Sequence, residues 1–238
     1  MELKDYLDSV NKIGLEEYQK IAELFQKVVE SVIMDIWKKH NGKMDIRING
    51  VPICLEGSAV NTSTAFGFVV EEFLTRQLPK GFIRTGSSTI NSAYDFRYED
   101  DSKIELMVNL KVEKNTSSNS GIVAANILKN HYCRDKKPKL YLILKSKYSL
   151  DEKKSILNFD GITSVYLESF ITKKGFLRSD SRNWTSEFNV LSGRLQTPSP
   201  SQITNFDVKS IPKPGEVWSF INNISEKLIE AKKKEQEA

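Results

Sequence analysis

The amino-acid sequence predicts an α/β fold in a single domain. A long amphipathic helix pattern lies near the N-terminus, and the centre of the chain reads helix, strand, strand, strand, helix, strand. The 238 residues are 39% apolar and 28% charged, as in globular proteins, and no linker or compositional shift divides them. We therefore expect residues 1–238 to form one domain.

The composition argues against several classes of protein. No segment approaches the roughly 20 apolar residues that span a bilayer, so we expect no membrane partner. The N-terminal residues lack the apolar centre of a secretory signal. The two cysteines, Cys54 and Cys133, form neither a zinc pattern nor a disulfide framework, which favours an intracellular protein with free thiols. The net charge of +4 is compatible with nucleic-acid binding but does not establish it.

The N-terminal third predicts two helices and a hairpin. Apolar residues at three- and four-residue intervals predict a helix over Leu15–His40, with one stripe formed by Leu24, Val28, Val32 and Ile36. The alternating stretch "MDIRI" and the dipeptide Asn49-Gly50 predict a hairpin. Ser63 or Thr64 provides an N-cap for the next helix, which Pro79 ends.

The centre of the chain predicts three strands, a helix and a fourth strand. Phe82 and Ile83 begin the first strand, and "AYDFRYEDDSKIELMVNLKVEK", residues 93–114, predicts two strands joined by a charged turn. The helix is expected from Ser118 or Ser120 to Asn130. The apolar run "KLYLILKS", residues 139–146, predicts a buried strand. A lysine-rich helix begins near Pro214.

The second strand of the central hairpin has two different faces. Residues two apart share a face of a strand, so Asn109, Lys111 and Glu113 point away from an apolar face. The simplest interpretation is that this polar face meets solvent. An alternative is that it forms a site together with Asp95 on the preceding strand.

An acid on one strand followed by polar-x-Lys on the next, within this order of elements, resembles the PD-(D/E)XK nuclease superfamily. Asp95 matches the first acid, and Asn109-Leu110-Lys111 matches the (D/E)-x-K element. Glu71 or Glu72 matches the helical glutamate of many members, and Gly67, four residues earlier, favours Glu71. Size and the polar C-terminal half are most similar to type II restriction endonucleases.

The resemblance covers roughly residues 62–146 and implies a restriction-endonuclease-like core, a central mixed β-sheet flanked by helices, with additional helices and loops. It implies a Mg²⁺-dependent, sequence-specific endodeoxyribonuclease acting on double-stranded DNA at a short palindromic site, with Mn²⁺ able to replace Mg²⁺. A twofold protein matches a palindrome, so a homodimer is expected. The implied location is the cytoplasm of a bacterium or archaeon, and residues 147–238 would serve DNA recognition and packing.

The resemblance also implies roles for the matched residues. Asp95, Asn109 and the backbone carbonyl of Leu110 would ligate the metal, since Mg²⁺ prefers oxygen ligands. Lys111 would orient the attacking water and stabilise developing negative charge. Glu71 would lie further out, bound through water or to a second ion.

Asn109 departs from the family pattern, because a carboxamide offers a neutral oxygen where a carboxylate is usual. It is a natural variant within the family, a change introduced to trap a complex, or the mark of a degenerate site. In the last case the chain is a DNA-binding protein that does not cut. Glu105 and Glu113 are candidates to supply the missing charge. A third possibility is an unrelated protein in which the hairpin is incidental.

Candidate DNA-binding residues lie in two places. The first group surrounds the hairpin and the start of the next helix, where amide groups bind phosphate, and consists of Lys114, Ser118 and Asn119. The second is a polar, aromatic C-terminal stretch with side chains that pair with guanine or adenine, namely Arg178, Arg182, Asn183, Arg194 and Gln196. A solvated surface anchored by Trp184 and Phe188 is the alternative for that stretch.

Overall fold

The computed structural model describes residues 1–48, 51–52, 62–85, 93–100, 102–114, 121–135, 137–151, 153–170, 194–196, 207–219, 221 and 233. The helices are α1 (Leu3–Ser9), α2 (Leu15–Lys39), α3 (Thr62–Arg76) and α4 (Ala125–Cys133), and residues 214–219 are also helical. The strands are β1 (Lys43–Asp45), β2 (Arg47–Ile48), β3 (Val51–Pro52), β4 (Phe82–Arg84), β5 (Phe96–Tyr98), β6 (Glu105–Lys114), β7 (Gly121–Ala124), β8 (Lys139–Asp151), β9 (Ile156–Tyr166) and β10 (Arg194–Gln196).

Within the described residues, six strands form one mixed sheet in the order β1-β9-β8-β6-β5-β4. β6 and β8 run parallel over ten residue pairs, from Glu105–Lys139 to Lys114–Tyr148, and the other neighbours are antiparallel. The predicted α/β fold, a central mixed sheet flanked by helices, is confirmed. β1 and β9 extend the sheet beyond the 62–146 core that the sequence suggested.

The helix α2 packs across one face of this sheet and supplies much of the core. Its fully buried residues include Tyr18, Ile21, Phe25, Val29 and Ile33, whereas Leu24, Val28 and Val32 of the expected stripe are only partly buried. The apolar arc of α2 is broad, because both sets of residues are apolar. The 3.6-residue period therefore indicated a helix but not which line of residues faces the sheet.

Among the described residues, three fully buried hydrogen bonds hold α2 on the sheet. The indole N–H of Trp37 donates to Ser146 Oγ at 3.0 Å, and the hydroxyl of Tyr166 donates to the Ala22 carbonyl at 2.7 Å. The hydroxyl of Tyr18 donates to the carbonyl of Lys139. Buried polar groups need such partners, since an unpaired one costs about 1–3 kcal/mol.

Two local expectations have clear outcomes. The hairpin around Asn49-Gly50 is confirmed, because Ile48 and Val51 pair antiparallel on either side of that dipeptide. The helix expected from Ser118 or Ser120 is wrong at its start, since residues 121–124 form β7 and α4 begins at Ala125. β7 pairs with β10, so a partner more than sixty residues away overrides the local helix pattern.

No helix among the described residues combines the length and apolar character needed to cross a membrane. The extent of the single domain over residues 1–238 stays a prediction.

Candidate active site

Two carboxylates lie side by side along one edge of β6. The last pair formed by β5 is Phe96 with Val108, so the rest of β6 extends past it. There the amide of Leu110 donates to Asp95 Oδ2 at 2.7 Å, and the amide of Val112 donates to Glu71 Oε1 at 3.1 Å. The N–H and C=O of a strand residue point to the same edge, so the Leu110 carbonyl lies between these two amides.

Asp95 reaches this position because the chain before β5 follows the edge of β6. Its own amide donates to the Val108 carbonyl at 2.9 Å, and its carbonyl accepts from the Thr85 amide at 3.0 Å, next to β4. Asp95 is therefore held by backbone bonds on both sides. This backbone position brings its side chain within reach of the Leu110 amide.

Glu71 reaches β6 because α3 passes unusually close to it. A Cβ atom placed on Gly67 would lie 2.9 Å from the Val112 carbonyl oxygen, a distance that real side chains essentially never adopt. Glu71 is one turn after Gly67 and thus on the same side of α3. Glu72 instead forms ion pairs with Arg76 and Arg84, so α3 presents Glu71 rather than Glu72 to β6.

Lys111 lies beside the two acids. Its Nζ is 4.0 Å from Glu71 Oε1, and the two side chains are 18% and 17% exposed. The partial exposure leaves the lysine and the acids accessible from outside while removing most of their water. In such a setting, electrostatic interactions are stronger than at an open surface.

Burial perturbs both acids. It raises the pKa of Glu71 to about 7; the charge of Lys111 and the Val112 amide lower the pKa, while the charge of Asp95 raises it. Burial likewise raises the pKa of Asp95, against the lowering effects of Lys111 and of the Leu110 amide. The positive charge of Lys111 thus does not fully offset the cost of burying two negative charges, and an additional cation would stabilise the ionised forms of both carboxylates.

Asn109 is buried on the same face of β6 as Lys111. It is 4% exposed, and among the described residues no donor lies within hydrogen-bond distance of its Oδ1 atom. A buried carbonyl oxygen without a donor is costly. The position is suited to an oxygen that serves as a ligand.

The polar face of β6 is mostly buried, with only Lys111 partly exposed, so the interpretation that this face simply meets solvent is wrong. Glu105 and Glu113, like Asn109, are at most 5% exposed. Both glutamates have basic partners. Glu113 pairs with Lys145 at 3.2 Å, while Glu105 lies 3.1 Å from His131 Nε2 and also faces Arg134 and Lys139.

Lys145 is a residue that the sequence reasoning missed. It is the cross-strand partner of Lys111 on β8, its side chain is fully buried, and burial lowers its pKa while Glu113 raises it. The available signal was a lysine inside the apolar run "KLYLILKS". A charged residue in a strand buried on both faces needs a partner, and Glu113 is two residues from Lys111.

The oxygen atoms at this edge of β6 fit a divalent cation with few carboxylate ligands. Among the described residues, no group of three His, Cys, Asp or Glu side chains is placed to hold a metal. The available oxygens are instead the carboxylates of Asp95 and Glu71, the Leu110 carbonyl and the Asn109 carboxamide. Mg²⁺ is commonly bound by one or two carboxylates together with water and substrate phosphate, and the donor-free Oδ1 of Asn109 suits such a site.

The candidate DNA-binding residues are only partly placed. Lys114 ends β6 and is partly exposed. Ser118 and Asn119 lie outside the described residues. Arg194 and Gln196 lie in β10, whose backbone pairs with β7, and their side chains are outside the described set. Arg178, Arg182 and Asn183 also lie outside it.

The fold and this cluster define an α/β protein whose central strand carries a lysine beside two edge-bound carboxylates. No protein-family model and no curated protein matches the chain. Among solved structures, the chain is similar to the NlaIV restriction endonuclease, with 16% identity and a TM-score of 0.42. The similarity covers 60% of this chain and 58% of the other.

Proposed function

We propose that this chain is a Mg²⁺-dependent endodeoxyribonuclease of the PD-(D/E)XK superfamily, acting on double-stranded DNA as a type II restriction enzyme does. The observation that carries the proposal is the meeting of Asp95, Glu71 and Lys111 at the free edge of β6. These residues are far apart in sequence, and their charges are only partly balanced. Such a cluster is a frequent mark of a catalytic site.

In this proposal, each residue of the site has its own role. Asp95, Glu71, Asn109 and the Leu110 carbonyl would hold the metal. A bound Mg²⁺ would lower the pKa of water and polarise a phosphate oxygen. Lys111 would donate hydrogen bonds to the attacking water and to a phosphate oxygen, and its positive charge would stabilise the charge that develops there. The amides of Leu110 and Val112 keep the two carboxylates in position.

The substrate and assembly belong to the same proposal. The enzyme would cut at a short palindromic site as a homodimer, because twofold symmetry of the protein matches twofold symmetry of the DNA. Lys114 would contact phosphate near the cut. The C-terminal residues Arg178, Arg182, Asn183, Arg194 and Gln196 would read bases, and Ser118 and Asn119 would contact the backbone.

A second candidate function is a DNA-binding protein with the same fold that does not cut. Asn109 favours it, because a neutral ligand in place of a carboxylate weakens attraction for a divalent cation. The lack of a three-carboxylate group among the described residues favours it too. In that case the carboxylates would keep their raised pKa values without a metal.

A plasmid cleavage assay with and without Mg²⁺ or Mn²⁺ separates the two. Metal-dependent conversion of supercoiled plasmid to discrete linear fragments is expected for the nuclease. Tight DNA binding without cleavage in any divalent ion would instead favour the second function. Absence of both activities would contradict both candidates.

A further inference from the structure

A cavity lies at the opposite end of the β6–β8 pair from the candidate active site. This cavity of about 600 Å³ opens where β8 begins, at Lys139, which pairs with Glu105. Lys111 is six residues further along β6, so the two sites are roughly 20 Å apart at 3.3 Å per residue. None of the residues assigned to the candidate active site lines this cavity.

Aromatic and proline rings form much of the cavity wall. The rings belong to Tyr18, Tyr132, Pro138, Pro214 and Trp218. The hydroxyl of Tyr18 donates to the Lys139 carbonyl and that of Tyr132 donates to Glu168, so both hydroxyls are already used within the protein. Tyr18 is fully buried and Tyr132 is 4% exposed, so the aromatic ring that the cavity offers a ligand is that of Trp218. Trp218 remains 45% exposed, which is unusual for so large an apolar side chain.

Basic side chains accompany the rings. Arg134, Lys137 and Lys139 line the cavity with one acid, Asp135. Lys139 is held by Asp135 at 2.5 Å and is buried, so its charge is locally balanced. The guanidinium of Arg134 is 62% exposed and lies 3.6–3.7 Å from Asp135 and Glu105, contacts that solvent weakens. The cavity thus combines the exposed cation of Arg134 with the exposed ring of Trp218.

We propose that this cavity binds a planar heteroaromatic ring that carries an anionic group, which is the chemistry of a mononucleotide. The ring would stack on Trp218, and the anion would face the exposed guanidinium of Arg134. Stacking of a base on aromatic side chains contributes about 1–3 kcal/mol, and a cavity of this size is typical of small-ligand sites. The ligand is a free mononucleotide or the terminal nucleotide of a single strand.

The proposal does not depend on nuclease activity, so it is tested by binding alone. The full-length protein is titrated by calorimetry with dAMP, adenosine, inorganic phosphate and a short single-stranded oligonucleotide. We expect dAMP to bind at least tenfold more tightly than adenosine or phosphate, because only dAMP engages both the Trp218 ring and the Arg134 cation. Equal affinity for the oligonucleotide and dAMP would identify a strand end as a source, and binding of dAMP alone would identify the free nucleotide.

Two variants and two matched controls locate the binding. Trp218→Ala should weaken dAMP binding roughly tenfold or more, and Arg134→Ala should weaken dAMP but not adenosine. Met34→Ala removes an exposed apolar side chain on α2 and Lys154→Ala an exposed cation, and neither should change binding. Thermal melts check that all four variants fold. The proposal is overturned if dAMP does not bind at millimolar concentration, if phosphate binds as tightly, or if Trp218→Ala leaves the affinity unchanged.

Discussion

At the scale of single residues, the two acids of the candidate site also accept hydrogen bonds from the backbone. Asp95 and Glu71 each use one carboxylate oxygen to accept a hydrogen bond from an amide of β6. Removing either side chain would leave an amide unpaired, with a stability cost unrelated to chemistry. Variants that test the chemistry should therefore keep the acceptor and change only the charge.

The first prediction concerns Asp95 and Lys111. Asp95→Asn keeps an oxygen for the Leu110 amide and removes the negative charge, and Lys111→Ala removes the cation. Both should lower plasmid cleavage at least a hundredfold, since a metal ligand or a transition-state donor is lost. Lys154→Ala, at an exposed lysine, is the control and should cut normally. DNA binding should persist in all three, measured by gel shift; near-normal cleavage by either site variant would show that the site is assigned wrongly.

The second prediction concerns Asn109. In the proposed site Asn109→Asp adds a third carboxylate to those of Asp95 and Glu71, so without metal the variant should melt at a lower temperature than the parent protein because of like-charge repulsion. With Mn²⁺ the variant should instead melt at a higher temperature than the parent protein. Its dissociation constant for Mn²⁺ should be roughly tenfold lower, equivalent to about 1.4 kcal/mol. Calorimetric titration with Mn²⁺ and melts with and without the ion measure both effects. An unchanged metal affinity would mean that Asn109 does not face the ion.

At the scale of elements, the close approach of α3 to β6 places Glu71. The third prediction is that Gly67→Ala forces the helix and strand apart, because the new Cβ would lie 2.9 Å from the Val112 carbonyl. The free energy of unfolding should fall by about 1–3 kcal/mol, the usual cost of overpacking. Cleavage should fall as well, because Glu71 moves away from Lys111.

Gly215→Ala is the matched control for this helix contact. A Cβ at Gly215 would have no atom within 4 Å, so the change adds helix propensity without a clash. Urea unfolding should show unchanged or slightly higher stability. Equal free energies of unfolding for the two alanine variants would mean that Gly67 does not set the distance between α3 and β6.

The elements also show what the sequence could and could not predict. The hairpin of β5 and β6, with Asp95 and Lys111, followed from local alternation and from the resemblance. The burial of Asn109 did not, because it depends on how the rest of the chain covers that face of β6. β7 was missed because its partner, β10, is distant in sequence. Patterns within one segment predict that segment, whereas pairing between distant segments depends on the whole fold.

At the scale of the whole molecule, a buried carboxylate links the sheet to α4. Glu168 follows β9 and accepts hydrogen bonds from the hydroxyl of Tyr132 on α4 and from the amide of Tyr141 on β8. It is fully buried, and burial raises its pKa from 4.5 to about 7, although the bonds from Tyr132 and Tyr141 lower it. The protonation of this one side chain therefore bears on the stability of the entire fold.

The last prediction follows from the raised pKa of Glu168. Because the pKa of Glu168 is higher in the folded state than the ordinary 4.5, the folded protein binds the extra proton. The contribution of Glu168 to stability is thus fully present below pH 4.5 and is lost as the pH rises to about 7 and beyond. The gap between the two pKa values corresponds to roughly 3 kcal/mol.

Glu168→Gln keeps an acceptor oxygen but cannot ionise, so its free energy of unfolding, relative to the parent protein, should rise between pH 5 and pH 8. Urea unfolding at both pH values measures this difference, with Glu99→Gln, at an exposed glutamate, as the control. A difference between Glu168→Gln and the parent that does not change with pH would show that Glu168 is ionised in the folded protein throughout this range.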